Sequence, residues 1–443
     1  MGTYVPNTRE EQQEMLREIG VHDLQELFHA IPREVCLDGP LKLPSGLPEL
    51  SVYRKMSGLA GRNKVFQSIF RGAGAYRHYI PSIVKQITSK EEFVTAYTPY
   101  QAEISQGILQ SIFEYQTMIC ELTGMDVSNA SVYDGATAAA EAVIMCKERK
   151  RTKALVSETV HPETIQTIQT YCSGTDMEVI LVPAKEGHTD MEALQQLLDE
   201  ETASVLLQQP NYYGILEDAE PAGILTHEKD AKFIMACNPI SLGLLKAPSE
   251  YGADIAVGEG QPLGIPLSYG GPYLGFMAST EKLMRRLPGR IVGETKDTRG
   301  ERAFVLTLQA REQHIRREKA SSNICSNQAL CAMTAAVYLD AMGARGLRQA
   351  AESSMSKAHY LAGELCKLPG FALVYPGEFF HEFVTTCRGN VDKVLRALED
   401  RGILGGYPLS GKDAGHLLWC ATEMNTKEEM DTLVSILEEV TRA

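Results

Sequence analysis

The sequence predicts an α/β protein whose main domain is a largely parallel β-sheet covered by helices. Short apolar runs of strand length occur at residues 154–156, 179–182, 204–207, 233–236 and 255–257. Helical patterns, for example over 162–171 and 191–198, lie between several of these runs. Strand and helix alternate in this way when a helix crosses over the sheet between one parallel strand and the next. We therefore expect a sheet of mainly parallel strands with helices packed on it.

The chain of 443 residues divides into three regions. Residues 1–95 should form an arm of helices and extended segments, beginning with a helix for which Thr8 and Glu11 have the spacing of a capping box. Residues 96–330 hold the alternating pattern and should form the large α/β domain. Residues 331–443 should form a small α+β domain, because the pattern there changes to a long helix followed by mixed strands and helices.

The small domain is expected to begin with a helix that runs to about Lys367 and breaks at Gly343. Glycine in a helix interior is unfavourable, which is why we place the break there. The elements expected after this helix are a strand at 371–375, a strand at 383–386, a helix at 390–401, a strand at 417–421 and a helix at 427–440.

Charge and cysteine usage argue against several classes of function. The formal net charge is −14 at pH 7, and such an acidic chain is a poor nucleic-acid binder because phosphate affinity needs clustered Lys and Arg. The ten cysteines are scattered and none forms Cys-x-x-Cys, so we expect neither a metal site nor a disulfide scaffold. Reduced thiols fit a cytoplasmic protein. The sequence shows no apolar run long enough for a membrane span and no secretion signal, so we expect neither.

Two glycine-containing turns are candidate phosphate-binding sites, and both patterns argue against that role. The motif GEGQPLG at 258–264 follows a predicted strand, but Pro262 prevents the helix that a dinucleotide-binding loop needs. The turn at Asp134 and Gly135 opens an alanine-rich helix, where free N–H groups could bind a phosphate. Asp134 is expected to cap this helix with its own carboxylate, which satisfies those donors and repels a phosphate.

Two polar and aromatic stretches are the remaining candidate ligand sites. The first combines RGAGAYRHY at 71–79 with YTPYQAE at 97–103, and the second is REQHIRREKASSNIC at 311–325. Arg, His and Tyr on loops that contain glycine and proline suit a rigid loop that presents them to a small charged ligand. A packed loop with core tyrosines explains the first stretch equally well. A charged surface helix explains the second better, if the residues alone are considered.

Four strings resemble the P-protein of the glycine cleavage system. They are FRGAGAYRHYIPSIV, AYTPYQAEISQGILQSIFEYQTMICELTGMDVSNAS, GADIAVGEGQPLGIPLSYGGPYLGF and REQHIRREKASSNICSNQAL, and they spread from residue 70 to residue 330. The resemblance implies a fold-type I pyridoxal-phosphate-dependent transferase fold, with an aminotransferase-like large domain and a small C-terminal domain. Some members of the family are one long chain with two related halves, and others are split into two subunits. The length of this chain fits the first of those subunits.

The sequence departs from the active half of that family at the cofactor positions. The resemblance places the His-Lys pair, which supplies the Schiff-base lysine, at Gln261 and Pro262, and the acidic partner of the ring nitrogen near Asn238. Proline cannot form the covalent bond, and Asn cannot supply the anionic charge. His161 matches the family's ring-stacking histidine and is interpreted as a remnant. The cofactor is therefore expected on a lysine-bearing partner subunit and not on this chain.

The resemblance also implies an activity, further partners and site residues. Glycine would be decarboxylated on the second P-protein subunit, and the remaining aminomethyl group would pass to the lipoyl arm of the H-protein. In this interpretation the glycine and lipoyl entrance of the partner's site is lined by Arg77, His78, Tyr97, Tyr100 and Glu103. Glu103 is expected to begin a helix.

A third set of expectations concerns the interface between the two subunits. Ser322 and Asn323 resemble the turn that many fold-type I dimers send across the interface to the cofactor phosphate, so we expect them near the partner's phosphate. Two alternatives remain open. One is a self-sufficient pyridoxal-phosphate enzyme that uses an unrecognised lysine, of which Lys246 is the nearest. The other is a purely structural subunit that touches no ligand.

Overall fold

The structure is a computed structural model, and it describes residues 6–442 except 38, 40, 96, 97, 310–312, 321, 325 and 388. Tyr97, one of the predicted site residues, therefore lies outside the described residues. The contacts divide the chain into two compact units, Met1–Lys64 and Val65–Ala443. The boundaries expected at residues 95 and 330 stay predictions about domain organisation.

The first unit contains two α-helices, α1 (Arg9–Ile19) and α2 (Glu49–Ala60). The predicted capping box at the start of α1 is confirmed. The Thr8 hydroxyl accepts a hydrogen bond from the Glu11 N–H at 3.2 Å, and the Glu11 carboxylate accepts one from the Thr8 N–H at 2.6 Å. These two bonds satisfy donors that have no partner inside the helix. Helix α2 has no buried residue in this chain.

The second unit contains the β-sheets and the remaining helices. Its strands are β1 Ser68–Ile69, β2 Val127–Ser128, β3 Lys153–Ser157, β4 Glu178–Val182, β5 Ala184–Lys185, β6 His188–Thr189, β7 Thr202–Gln209, β8 Lys232–Cys237, β9 Ile255–Glu259, β10 Gly275–Ser279, β11 Ile291–Lys296, β12 Arg302–Thr307, β13 Glu382–Thr386, β14 Ile403–Leu404, β15 Tyr407–Pro408 and β16 His416–Cys420. Its α-helices are α3 Ser82–Thr88, α4 Glu91–Val94, α5 Gln106–Thr123, α6 Gly135–Met145, α7 Pro162–Ser173, α8 Met191–Leu197, α9 Ala219–Glu228, α10 Gln313–Arg316, α11 Ala329–Leu365, α12 Val391–Glu399 and α13 Lys427–Arg442.

A seven-stranded sheet in the order β2-β10-β9-β8-β7-β3-β4 forms the centre of this unit. Strands β9, β8, β7, β3 and β4 are parallel, and β10 runs antiparallel to both of its neighbours. The prediction of a mainly parallel sheet is confirmed. Each apolar run identified in the sequence lies inside one of the parallel strands, because strands buried on both faces are apolar throughout.

Helices cover both faces of this sheet. On one face, Leu155, Val205 and Phe233 pack in a core shared with α5 and α11. On the other face, Val156 and Ile234 pack against the alanine-rich helix α6. Alternate residues of one strand therefore enter different cores, as the two-residue repeat of a strand requires. The small side chains of α6 let it lie close to the strand ends that form the site described below.

The small domain is built on the antiparallel sheet β13-β16-β15, with α12 and α13 packed beside it around the buried Trp419. The break expected at Gly343 is confirmed, since its φ of 60° and ψ of 177° interrupt α11. The strand expected at 371–375 is wrong. That segment forms only an isolated bridge from Leu373 to Thr385, because Pro376 follows and cannot donate to a longer ladder.

Three features of the described part of the chain bear on its function. None of its helices is long and apolar enough to cross a membrane. No group of three or more His, Cys, Asp or Glu side chains there is arranged to hold a metal ion. The nine cysteines in the described part are free thiols.

Candidate functional site

A cavity of about 420 Å³ opens at the carboxyl ends of β7, β8 and β9 and at the N-terminus of α6. Its lining includes Gln208 from β7, Asn238 after β8, Glu259 from β9 and Asp134 before α6. Ligands of open α/β sheets bind outside the carboxyl ends of the strands, so this is where a site is expected. The volume also falls in the range of small-molecule pockets, roughly 300–1,000 Å³.

Two carboxylates occupy the N-terminus of α6. Asp134 accepts a hydrogen bond from the Thr137 N–H at 2.8 Å, which confirms the predicted cap. Glu259, which the sequence reasoning missed, accepts a hydrogen bond from the Gly135 N–H at 2.9 Å. A side chain at Gly135 would lie 2.8 Å from the Glu259 backbone nitrogen, so only glycine allows this approach.

The Glu259 carboxylate is held on three sides. Its second oxygen accepts hydrogen bonds from the Gln261 N–H at 2.9 Å and the Leu274 N–H at 3.0 Å. Burial raises the pKa of Glu259 to about 7, although the three N–H donors oppose that rise. A carboxyl group of this chain thus takes donors that a phosphate would need, and a second carboxylate lies beside it.

The remaining cofactor positions also lack the required groups. Gln261 and Pro262 carry no amine, and no lysine is among the described residues that line the cavity. Asn238 directs its side-chain oxygen to the Ile240 N–H at 2.9 Å. Lys246, the alternative candidate, is exposed and donates to Glu220 at 3.1 Å. The residues of this chain therefore do not fit pyridoxal phosphate.

His161 lies at the cavity and now ties two segments together. Its Nδ1 accepts the Glu163 N–H at 3.2 Å, and its Nε2 lies 3.0 Å from the Ala73 carbonyl oxygen. These two contacts select the tautomer with the proton on Nε2. The ring also packs edge-on against Tyr212 at a centroid distance of 4.9 Å. Its interpretation as a remnant of a cofactor site stays a prediction.

The predicted site residues Arg77 and His78 have different environments. The His78 side chain is buried and its Nδ1 lies 2.7 Å from a carboxylate oxygen of Glu423. Burial favours the neutral acid, but the His78 contact and the Tyr79 N–H hold the pKa of Glu423 below its ordinary value. Arg77 is exposed, and its guanidinium donates to the Gln67 carbonyl oxygen at 3.3 Å.

Tyr100 and Glu103 lie before α5. The Arg290 guanidinium stacks on the Tyr100 ring at 4.4 Å from its centroid. Glu103 is exposed in a turn and does not begin a helix, because α5 starts at Gln106. The turn closes when the Ser105 N–H donates to the Gln101 carbonyl oxygen at 2.9 Å, which delays the helix.

Ser322 and Asn323 lie in the segment that leads into α11. The Ser322 hydroxyl donates to Glu141 of α6 at 3.0 Å and accepts the Ile324 N–H at 3.1 Å. Burial raises the pKa of Glu141 to about 7, and the Ser322 hydrogen bond partly offsets that rise. Asn323 accepts a hydrogen bond from Gln313 at 3.5 Å. Their approach to a partner's phosphate stays a prediction.

A buried polar group beside the cavity was also missed at the sequence level. Glu382 accepts hydrogen bonds from the Ala73 N–H and the Tyr76 hydroxyl, both at 2.7 Å. Burial raises the pKa of Glu382 to about 7 and lowers that of the neighbouring His381. The signal available in the sequence was the pair His381-Glu382 inside the apolar run FFHEFV, since a buried charge needs a partner.

Solved structures show which fold the chain shares with other proteins. The chain matches a glutamate decarboxylase from Lactobacillus brevis with a TM-score of 0.68 at 13% identity, covering 92% of this chain and 96% of the other. It matches an alanine–glyoxylate aminotransferase from Nostoc with a TM-score of 0.59 at 16% identity, covering 93% and 99%. These likenesses show the fold, which is that of fold-type I pyridoxal-phosphate enzymes.

The particular family follows from closer relatives. The family model described as glycine cleavage system P-protein matches residues 2–437, and the chain belongs to this family. It is 52% identical to a probable glycine dehydrogenase (decarboxylating) subunit 1 of Desulfitobacterium hafniense, over 99% of both chains. The corresponding protein of Moorella thermoacetica is 53% identical over 98% of this chain and 99% of the relative. A crystal structure of an inhibitor-bound glycine decarboxylase (P-protein) is 43% identical with a TM-score of 0.91, covering 99% of this chain and all of that one.

Proposed function

We propose that this chain is the subunit of a glycine-decarboxylating P-protein that completes an active site on a second, lysine-bearing subunit. The observation that carries this proposal is the Glu259 carboxylate on the N-terminus of α6 in a cavity whose described lining has no lysine. A chain of this family that cannot hold the cofactor can still contribute residues that line a partner's active site. Pyridoxal phosphate on the partner would supply the electron sink for loss of the glycine carboxylate.

The residues of this chain would bind and orient, and would leave covalent chemistry to the partner. Arg77, His78, Tyr97, Tyr100 and Glu103 would line the entrance for glycine and for the lipoyl arm of the H-protein. Tyr hydroxyls can orient glycine without the fixed charge of a bidentate arginine, which suits a carboxylate that must leave as neutral CO₂. Ser322 and Asn323 would donate hydrogen bonds to the partner's cofactor phosphate.

Exposed apolar residues of the first unit support the proposal that a partner chain binds this one. Leu50, Tyr53 and Met56 of α2 are 59%, 69% and 57% exposed, and they recur every three residues along the helix. Apolar side chains that recur at this spacing share one helix face, and an exposed apolar face marks an interaction site. The relatives named above are called subunit 1, which supports a second subunit as the occupant. We expect an obligate interface well above ~2,000 Å², with two copies of each subunit, in the cytoplasm.

Reconstitution tests this proposal. The chain and a lysine-bearing second subunit would be co-expressed, purified together and assayed for glycine–bicarbonate exchange with lipoylated H-protein. We expect exchange from the complex only, with neither subunit active alone. Separate elution of the two subunits at micromolar concentration, or full exchange by the second subunit alone, would overturn it.

A purely structural role is a second candidate, and specific contacts favour it. His78 is engaged by Glu423, and Ser322 by Glu141, within this chain. If these residues only stabilise the fold, their substitution will lower stability and leave the kinetic constants of the complex unchanged. The proposed role requires a change in kinetic constants while the complex stays assembled.

A further inference from the structure

Gln261 is buried, 2% exposed, and its side-chain amide is fully used. Its oxygen accepts a hydrogen bond from the Tyr76 N–H at 2.8 Å. Its nitrogen donates to the Tyr76 carbonyl oxygen at 2.9 Å and to the Ile265 carbonyl oxygen at 2.8 Å. One amide thus binds both backbone groups of Tyr76, as a neighbouring strand would, and also fixes the turn after β9.

Tyr76 lies in the middle of residues 70–79, which we call the 70–79 loop. Other contacts fasten the first half of this loop, where the Ala73 N–H donates to Glu382 and His161 contacts the Ala73 carbonyl oxygen. Gln261 binds the backbone of Tyr76, directly before the chain continues to Arg77 and Tyr79. The side chains of both are exposed, and 54% of Tyr79 is accessible.

The pair of hydrogen bonds to the Tyr76 backbone explains why an amide side chain occupies this position. Asn and Gln carry an acceptor oxygen and a donor nitrogen side by side at the end of a neutral side chain, which matches the spacing of a backbone N–H and carbonyl oxygen, and Gln reaches further. The resemblance places a histidine at this position, and the two ring nitrogens of a histidine point in different directions, so a histidine could not bind both the N–H and the carbonyl oxygen of Tyr76. The position that resembles the family's catalytic pair therefore has a different occupant with a different set of bonds.

We propose that Gln261 is a positioning residue that holds the 70–79 loop in the conformation in which it meets the partner's active site. The proposal rests on the proposed function, since it assigns the loop a place in that site. Gln261 acts through Tyr76 and touches no substrate. The turn after β9, beside the cavity, would then anchor a loop for a neighbouring site.

The chain provides a matched control for this role. Gln116 of α5 is also buried, 7% exposed, and it makes the same pair of bonds to another residue. It accepts the Val292 N–H at 3.0 Å and donates to the Val292 carbonyl oxygen at 2.9 Å. Gln261→Met and Gln116→Met therefore each remove a pair of hydrogen bonds to the backbone of one residue. Gln261→Met also removes the bond to the Ile265 carbonyl oxygen, and only Gln261→Met touches the 70–79 loop.

Hydrogen–deuterium exchange on the full chain tests the anchoring directly. Each lost bond contributes about 0.5–1.5 kcal/mol, so the amides of residues 75–77, which lie next to the lost bonds, should exchange at least about tenfold faster in Gln261→Met. Gln116→Met should leave these amides within about twofold of the original chain. Unchanged protection of residues 75–77 in Gln261→Met would overturn the inference. If Gln261→Met fails to fold, Gln261→Asn, whose shorter side chain cannot reach both groups of Tyr76, takes its place.

Kinetics of the reconstituted complex test the positioning. We expect Gln261→Met to raise the KM for glycine about tenfold or more with a smaller change in kcat, and Gln116→Met to change neither beyond about twofold. Faster amide exchange in the loop with an unchanged KM for glycine would show that Gln261 has only a structural role, and would overturn the proposal. An inactive unmodified complex would instead refute the proposed function, while the exchange experiment would still decide whether Gln261 anchors the loop.

Discussion

The Glu259 carboxylate accepts a hydrogen bond from the Gly135 N–H at 2.9 Å, across 124 residues of sequence. This contact brings the end of β9 to the N-terminus of α6. It fills the point where the fold offers free N–H groups and a favourable helix dipole to an anion. The cavity is present, but the Glu259 carboxylate occupies the N-terminus of α6, where an anion would bind.

The isolated chain should not bind pyridoxal phosphate covalently. The cavity lining in the described residues has no lysine, and Glu259 and Asp134 repel a phosphate at α6. Incubation with pyridoxal phosphate and borohydride, followed by peptide mapping, should show no yellow species and no label at a single lysine. Stoichiometric labelling of one lysine, such as Lys246, would favour the self-sufficient enzyme instead.

Stability of the chain should fall as pH rises from about 5 to about 7, because the pKa of Glu141 is raised to about 7 from its ordinary 4.5. In this pH window the folded chain binds more protons than the unfolded chain. Above the window, the stability that proton binding at Glu141 contributes is lost completely. Glu141→Gln keeps a side-chain oxygen that can accept from Ser322 and removes the titration. It should raise the free energy of unfolding by ~1–3 kcal/mol at pH 8 and by little at pH 5.

Urea unfolding at both pH values measures that difference. Glu178→Gln, at an exposed position of β4, serves as the control and should give the same pH dependence as the original chain. Equal behaviour of the two variants would show that the buried Glu141 does not titrate in this range.

Charges on the exposed face of α2 should disrupt assembly. Leu50→Glu combined with Met56→Glu keeps good helix formers, so α2 should still form, but it buries two carboxylates if the face meets a partner. We expect the affinity for the second subunit to fall by at least about tenfold, measured by size exclusion over a dilution series. Ile224→Glu on α9, at a residue 58% exposed, is the control and should co-elute normally. Unchanged co-elution of the α2 variant would remove α2 from the interface.

Ser322→Ala should weaken the cofactor affinity of the complex by about tenfold or more, because a hydrogen bond to a charged phosphate contributes about 1.5–3 kcal/mol. The same substitution removes the donor to Glu141 at 3.0 Å, so the free energy of unfolding must be measured alongside. Cofactor titration by absorbance, compared with Glu141→Gln, separates the two effects. If both variants shift the cofactor affinity equally, Ser322 acts through Glu141 and not on the partner's phosphate.

Substitutions in the predicted entrance should slow glycine–bicarbonate exchange. Tyr100→Phe, Glu103→Gln and His78→Ala should each lower kcat/KM by about tenfold or more in the assembled complex, since orienting groups act on the transition state. His78→Ala also deprives Glu423 of its 2.7 Å partner, so its complex must first be shown intact. Near-normal rates for all three would assign this segment to the scaffold.

The sequence predicted features that depend on neighbours along the chain. The capping box at Thr8 and the cap at Asp134 each join residues three apart, and the parallel strands are recognisable in the sequence as continuous apolar runs. The break at Gly343 is equally local, because glycine tolerates a positive φ that other residues avoid. The predicted start of α5 was wrong because a turn precedes the helix. The strand predicted at 371–375 was wrong because a proline follows that segment.

The sequence by itself therefore determined the α/β class, the capped start of α6 and the absence of a lysine from residues 247–281. Only the tertiary structure decided what replaced the cofactor contacts. Glu259 meets Gly135 across 124 residues, and Gln261 meets Tyr76 across 185. No periodicity encodes such pairs, because they depend on which strand ends lie side by side in the sheet. The parallel order of β7, β8 and β9 sets that proximity, and burial then selects side chains that satisfy one another's hydrogen bonds.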